Sequence, residues 1–295
     1  MRTVFRRLFE SACAVALAVV LISAAEGFVG VDVARVLLGT KPSAAEVGVL
    51  HHQLGLDRPL PARALTRVMH AAAGDLGQSY VYRRPVGGLL LEALMNSARL
   101  LIPSLVLGSV LGILLGIAAA YYSGRVVRSF LIFVASVALL PSLIIGTLVV
   151  YGLGYRLNLI TPSFTFAVAV LALAPLAVTS LSTYQEYTRI LGSDYTRAGR
   201  SFGVPEWQLV FRFSLRVAAV GLLSNITYVA LYLLTGTVFV EIVFALPGLG
   251  NLLLTATDRF DFPVITGVSL AVVCFFGLMN ALTGVALYVA DPRTR

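Results

Sequence analysis

The chain has 295 residues, of which 58% are apolar and only 12% are charged, and its mean hydropathy is +0.91. Soluble domains carry about 25% charged residues, so this composition indicates an integral membrane protein. The net charge of +8 is spread over loops that flank apolar segments, which favours membrane lipid over nucleic acid as its partner. The two cysteines, Cys13 and Cys274, lie far apart in apolar segments and exclude a disulfide framework.

Six apolar segments are long enough to cross a bilayer as helices, since about 20 residues span its hydrocarbon core. They cover residues 8–31, 98–121, 130–151, 164–182, 217–240 and 264–290. The first differs from the others because Glu26 interrupts it, and small residues at 23–25 are also compatible with a cleaved signal peptide. Whether this segment is retained stays open. The fold class predicted is all-α, a polytopic membrane protein with six transmembrane helices.

The distribution of arginines predicts the orientation of these helices in the membrane. The arginines near both termini, at positions 125 and 128, and within residues 184–216 fall on one side, whereas the short connections opposite carry only Arg156 and Arg259. Cytoplasmic loops are enriched in basic residues, so both termini and 184–216 are predicted to be cytoplasmic. The chain then divides into an N-terminal transmembrane helix (1–31), an extracytoplasmic loop or cap (32–97) and a five-helix core (98–295) with its cytoplasmic loop (184–216).

The predicted extracytoplasmic segment contains Gly and Pro turn formers in residues 54–60 and 74–80, which indicates an ordered cap and not a free linker. Such a cap either contacts an extracytoplasmic partner or simply packs on the chain. Its histidines, His51, His52 and His70, do not have the spacing of a metal site, so no bound metal is expected.

Two residue patterns lie inside the predicted helices. Small residues four apart in the second segment predict close helix packing; they are Ser104, Gly108, Gly112, Gly116 and Ala120. Polar and aromatic residues at steps of three and four share one face of the fifth segment. Such a face either lines a water-accessible translocation path or hydrogen-bonds to a neighbouring helix. Its members are Asn225, Tyr228, Tyr232, Thr235 and Phe239.

The chemistry that the chain lacks limits its function. The interiors of the last five apolar segments contain no Asp, Glu, Lys or His, which argues against a proton-driven carrier and a membrane-embedded hydrolase. A nucleotide-binding P-loop needs a lysine, and the single one, Lys41, is followed by proline in Gly39-Thr-Lys-Pro. The chain is therefore predicted to have no catalytic residues and bind no cofactor, so active transport would draw its energy from another polypeptide.

The run Asp194-Tyr-Thr-Arg-Ala-Gly-Arg-Ser-Phe-Gly203 resembles the cytoplasmic coupling loop of binding-protein-dependent ABC importer permeases. The likeness is strongest to the first permease subunit of the dipeptide/oligopeptide (and nickel) family. One departure is that the superfamily pattern Glu-Ala-Ala-x3-Gly becomes Arg197-Ala-Gly-x3-Gly203 here. Further segments similar to the family are 54–60, 74–80, 241–250, 261–263 and 291–295.

The resemblance implies a type I ABC importer permease fold in the bacterial cytoplasmic (inner) membrane. It also implies a coupling loop that binds an ATPase subunit and an outer gate that closes the path. The implied coupling residues are Asp194, Tyr195, Arg197, Ala198, Gly199, Arg200 and Gly203. The implied outer-gate residues are Glu241, Phe244, Pro247, Gly248 and Gly250, where proline and glycines permit a tight re-entrant turn.

The same resemblance implies partners: a second homologous permease, two ABC ATPase subunits that carry ATP and Mg²⁺, and an extracytoplasmic substrate-binding protein. The expected function is ATP-driven import of di- or oligopeptides. Alternatives are the same architecture importing nickel or another small solute, a non-transporting membrane scaffold, and a self-contained secondary carrier. A scaffold needs no coupling loop, and a secondary carrier moves solute without ATP.

Overall fold

The computed structural model describes residues 17, 20–21, 35, 38, 43–53, 62, 66, 69–70, 73–122, 124–138, 140–156 and 163–290. This part of the chain is made of helices and turns, and Gln78 and Pro85 form an isolated antiparallel bridge. The predicted helix at 1–31 lies mostly outside the described residues. The six-helix count and the three-part division of the chain therefore stay predictions.

The helices, in chain order, are α1 (Ala44–Gln53), α2 (Val86–Tyr122), α3 (Arg125–Ala138), α4 (Ser142–Thr147), α5 (Phe164–Leu191), α6 (Asp194–Ser201), α7 (Glu206–Gln208), α8 (Leu215–Val243), α9 (Leu249–Asp258) and α10 (Phe262–Ala290). Helix α4 continues as a π-helical segment, π1, over Leu148–Arg156. A second segment, π2 (Leu209–Ser214), joins α7 to α8, so helical structure is continuous from residue 206 to 243.

Four helical stretches are long and apolar enough to cross a membrane: Val86–Tyr122, Phe164–Leu191, Gly221–Val243 and Phe262–Met279. They correspond to four of the segments predicted from the sequence. The predicted helix at 130–151 differs, because the structure bends it by 86° between α3 and α4. Pro141 causes this break, since it has no amide proton to donate and takes an extended ψ of 131°.

The described residues form two compact units. The first comprises Met1–Asn96 with Pro247–Leu278. Its core packs the start of α2 against α9 and α10, and Gly267 permits this contact because a Cβ there would lie 2.8 Å from Val86 Cγ1. The core side chains are Val86, Leu89, Leu90, Ala93, Leu249, Ala256, Val264 and Val268.

The second unit comprises Ser97–Leu246 with Met279–Arg295, and α5 is central to it. Helix α5 packs against α8 and α3. The small-residue stripe of α2 also faces α5, since Cβ atoms at Gly108, Gly112 and Gly116 would lie 2.3–2.8 Å from α5 backbone oxygens. Close helix packing at these glycines is therefore confirmed.

Candidate functional site

The predicted coupling loop contains a short helix, α6, with well-defined ends. It begins after Ser193, which has the extended backbone of an N-cap residue (ψ 158°), and it ends at Phe202. Gly203 then takes a left-handed φ of +75°. Its N–H donates to Arg200 O at 3.0 Å, and Val204 N–H donates to Gly199 O at 3.1 Å. These two bonds form a Schellman motif, the helix ending that glycine favours most.

Helix α6 is fixed to the ends of two longer helices. The hydroxyls of Ser193 and Thr196 both donate to the carbonyl of Ile190, in α5, at 2.6 and 2.7 Å, and Thr196 is 1% exposed. On its other side, Gly199 packs against Leu209, the first residue of π2, so closely that a Cβ would lie 2.7 Å from Leu209 Cδ2. These contacts attach α6 both to α5 and to the helical run that contains α8.

The rest of α6 is exposed and rich in the residue types that form protein interfaces. Tyr195 is 56% exposed and Phe202 is 85% exposed, and Ala198 is also exposed. Two exposed ion pairs accompany them, Arg197 with Asp194 and Arg200 with Glu206, at 2.6 and 2.7 Å. Exposed pairs of this kind contribute under about 1 kcal/mol, so both arginines stay available to a partner.

Local geometry refines two sequence expectations for this loop. Asp194 occupies the first turn of α6, as expected, but no side chain makes a capping hydrogen bond at this end and Asp194 pairs with Arg197 instead. Pro205 immediately precedes α7, with φ −57°, and its carbonyl accepts from the amides of Gln208 and Leu209. The next helix therefore begins directly after Pro205.

The polar and aromatic stripe of α8 is divided by the structure. Tyr228, Tyr232, Thr235 and Phe239 are exposed, whereas the opposite face of α8 is buried through residues such as Val229 and Leu233. Asn225 is half-buried, and its amide oxygen accepts from Ser182 of α5 at 3.3 Å. Four members of the stripe thus lie on the exposed face of α8, and the fifth contacts a neighbouring helix.

Three of these residues border a cavity of about 140 Å³ beside the bend between α3 and α4. Ser142 lies at its edge and donates to Gly236 O at 3.5 Å. None of the described residues that line the cavity is charged. The lining residues are Ala138, Leu140, Pro141, Ser142, Ile145, Val170, Leu171, Leu173, Ala174, Tyr232, Leu233, Thr235, Gly236 and Phe239.

The predicted outer-gate residues fall in both units. In the second unit, Glu241 is 1% exposed, and Ser97 Oγ donates to its carboxylate at 2.5 Å. The left-handed residue after α8 is Ala245 (φ 53°), which sequence reasoning missed because a Schellman ending usually carries glycine there. Leu246 N–H donates to Glu241 O at 2.8 Å to close this ending.

The two glycines of the predicted outer gate, Gly248 and Gly250, lie outside the turn that follows α8. In the first unit, Gly248 is the extended N-cap of α9 (φ −123°) and Gly250 is buried inside α9. Pro247 O accepts from the Asn96 side chain at 2.8 Å. The tight turn therefore depends on Ala245, and Gly248 and Gly250 contribute to the start of α9.

A buried carboxylate to which sequence reasoning assigned no role joins two of the family-like segments within the first unit. Asp261 is 0% exposed. Its Oδ2 accepts from Ser79 Oγ at 2.5 Å and from Val81 N–H at 3.1 Å, and its Oδ1 accepts from Tyr80 N–H at 3.2 Å. No local pattern indicates this contact, because the partners are 180–182 residues apart.

Asp75 stabilises the turn that precedes this contact in the chain. Gly77 N–H donates to Asp75 Oδ1 at 2.9 Å, and the His70 ring lies 3.0 Å from Oδ2. The hydrogen bond from the Gly77 amide, followed by that from His70, lowers the pKa of the Asp75 carboxyl. The carboxylate of this exposed turn is therefore favoured over the acid.

Comparison with known proteins identifies the family. Residues 112–295 match the family described as binding-protein-dependent transport system inner membrane component. The chain is 32% identical over 259 residues to the dipeptide transport system permease protein DppB of Lactococcus lactis subsp. cremoris (strain MG1363), covering 85% of this chain and 86% of that protein. It is 31% identical over 277 residues to the glutathione transport system permease protein GsiC of Salmonella paratyphi A, and the match covers 90% of this chain and 89% of that protein.

A similar match, 31% over 278 residues, relates the chain to the glutathione permease GsiC of Escherichia coli K12. These matches run through the described helices, including the loop that holds α6, and they confirm the resemblance to ABC importer permeases. Together with its long apolar helices, they show that the chain belongs to the family of inner-membrane permease components of binding-protein-dependent transport systems.

Proposed function

We propose that this chain is one of two permease subunits of an ATP-driven importer that moves di- or oligopeptides across the bacterial cytoplasmic membrane. The substrate class is supported by relatives named for dipeptide and glutathione transport, since both cargoes are small peptides. The ATP and Mg²⁺ would be bound by two partner ATPase subunits, and a soluble extracytoplasmic protein would deliver the peptide.

The observation that carries the proposal is the attachment of α6. Its exposed surface, with Tyr195, Arg197 and Phe202, is available to a partner, while Thr196 and Gly199 fix it to α5 and π2. An ATPase subunit that moves on ATP binding would therefore move α6 as a lever. The displacement would pass into two membrane-spanning helices and change the side to which the path is open.

We assign the translocation path to the exposed face of α8. Tyr228, Tyr232, Thr235 and Phe239 offer hydroxyls and aromatic rings without a fixed charge, which suits a cargo that carries both a positive and a negative terminus. A cavity of about 140 Å³ is near the size that holds one benzene molecule. It admits a single side chain and not a whole peptide, which supports a path completed by the second permease.

Peptide transport and coupling are tested together in vesicles that contain the complete importer. Gly203→Pro fixes φ near −65° and removes the amide that donates to Arg200, so ATP-driven uptake of a labelled dipeptide should be lost while membrane insertion persists. Gly203→Asn is the matched control, because asparagine tolerates the left-handed conformation and should retain most uptake.

Asp194→Arg removes the pair with Arg197 and places a positive charge at the start of α6, so it should also abolish uptake. Asp258→Arg, at an exposed position of α9, is its control. Normal uptake by well-expressed Gly203→Pro and Asp194→Arg would disprove the coupling role. Uptake by the isolated chain without ATP would favour a secondary carrier, and uptake of nickel in preference to peptide would reassign the substrate.

A further inference from the structure

The turn directly before α2, Ser79–Arg84, is held unusually tightly for an exposed connection; we refer to it as the outer turn. Asp261 accepts three hydrogen bonds from its first residues, as described above. Within the turn, Ser79 N–H donates to Arg84 O at 3.0 Å and Tyr82 N–H donates to Ser79 Oγ at 2.8 Å. The backbone of this turn therefore has little freedom to move.

At the tip of the outer turn, the tight backbone displays two exposed side chains. Arg83 takes a left-handed φ of 51°, a conformation that residues with a Cβ disfavour. Tyr82 beside it is 40% exposed, and Arg83 is exposed as well. Such strained backbone persists only where surrounding contacts hold it, and it is frequent at sites that contact ligands or partners.

The length of α2, compared with the thickness of the bilayer, indicates whether the outer turn lies in lipid or in water. Helix α2 has 37 residues, which at 1.5 Å each extend about 55 Å, well beyond a hydrocarbon core of about 30 Å. Its charged residues Glu92 and Arg99 lie in its first half, before or at the start of the segment 98–121 that the sequence predicts to span the bilayer. The outer turn precedes Arg99 by more than a dozen residues, roughly 20 Å of helix, whereas the headgroup layer is only about 6 Å deep.

The exposed side chains of the outer turn indicate the charge of the surface that it would bind. Arg84 is paired with Glu92 at 3.0 Å, but Arg83 forms no ion pair with another described residue. The tip thus presents one uncompensated positive charge beside a phenol. Tyrosine and arginine are the residue types that contribute most often to binding energy at protein interfaces. A negatively charged protein surface complements this tip.

We propose that the outer turn is a docking element for an acidic patch on the soluble substrate-binding protein, with Tyr82 and Arg83 as its contacts. This inference rests on the proposed function and on the predicted extracytoplasmic position of residues 32–97. Asp261 acts as a positioning residue, because it holds the backbone that presents the two side chains. Pre-ordering the turn lowers the entropy lost on binding.

The first test compares Arg83→Glu with Arg156→Glu, a matched control at another exposed arginine predicted on the same side. Binding-protein-stimulated ATP hydrolysis is measured with the complete importer in lipid nanodiscs. Arg83→Glu should raise the binding-protein concentration for half-maximal stimulation about tenfold at low salt, with an unchanged maximum and a smaller effect at high salt. An unchanged half-maximal concentration, or a loss confined to the maximum, would overturn the proposal.

The second test replaces Tyr82 with the photo-cross-linking residue p-benzoylphenylalanine and uses Tyr155, which is 81% exposed, as the control position. The proposal expects a cross-link from position 82 to the binding protein that position 155 does not give. A cross-link from position 82 to lipid or to the second permease instead would contradict it. Wild-type uptake in the same preparation is scored separately: normal uptake without a Tyr82 cross-link overturns this inference alone, and absent uptake overturns the proposed function as well.

Discussion

Helix α6, which is predicted to be cytoplasmic, and the outer turn are both short, exposed and well ordered, but they are held by contacts of different range. The contacts described for α6 come from nearby in the chain: Ile190, Glu206 and Leu209 are all within ten residues of their partners. The outer turn has hydrogen bonds of its own, but it is also held by Asp261, up to 182 residues away. The first region is therefore held by local contacts, whereas the second also needs a carboxylate that comes close only when distant helices have packed.

The ends of α6 and α8 sharpen this comparison, because they share a hydrogen-bond pattern but not a residue type. After α6 the left-handed position is Gly203, and after α8 it is Ala245, with the amide of the following residue donating five positions back in each case. Helix α9 ends in the same way with Phe260. A glycine at this position predicts such an ending from the sequence, whereas alanine and phenylalanine do not.

The largest expected effect comes from removing the distant contact. Asp261→Ala leaves the Ser79 hydroxyl and the Tyr80 and Val81 amides without their acceptor, which should cost the outer turn about 2–4 kcal/mol, since buried donors lose bonds to a charged group. Hydrogen exchange of the complete importer should show lost protection at residues 79–81 and unchanged protection in α6. Asp258→Ala, at an exposed position nearby, is the control. Retained protection at 79–81 would show that the turn is ordered locally.

An intermediate effect is expected when the glycine and the alanine at the two left-handed positions are each replaced by the other residue type. Gly203→Ala should weaken the end of α6 by about 1–2 kcal/mol, because alanine resists a positive φ. Ala245→Gly should relieve the same strain after α8, offset in part by about 0.5–1 kcal/mol of backbone entropy. Exchange rates of the Val204 and Leu246 amides, which close the two endings, measure both changes. If Ala245→Gly leaves exchange of the Leu246 amide unchanged or makes it faster, the left-handed backbone is unstrained at Ala245.

The smallest effect concerns the exposed turn at Asp75. Because the folded pKa of Asp75 lies below its usual value of about 4, the carboxylate stabilises the turn above that usual value, and this stabilisation is lost as the pH falls through the lowered folded pKa. Protection of the Gly77 amide, corrected for intrinsic exchange, should stay constant from neutral pH to about pH 5 and then decline. Asp75→Asn should remove this decline, and a decline that persists in the variant would exclude Asp75 as its cause.

Much of the membrane architecture was predictable because it depends on patterns that extend over one helix. Apolar length predicted four of the spans, and glycines four apart predicted a close helix contact of α2, which the structure shows to be with α5. Gly203 and Pro205 likewise gave the end of α6 and the start of α7. The 86° bend at Pro141 was missed, because proline also occurs inside α2 and α5, at Pro103 and Pro175, without ending either helix.

The sequence by itself determined the class of protein, the apolar helices and the local form of α6, because composition, periodicity and turn residues act over a few positions. Only the tertiary structure decided that Asn225 contacts α5 while its stripe neighbours stay exposed, that Ala245 adopts a left-handed backbone, and that Asp261 holds the outer turn. The contacts of Asn225 and Asp261 depend on which distant side chain lies within hydrogen-bonding distance, and that distance exists only after the helices have packed.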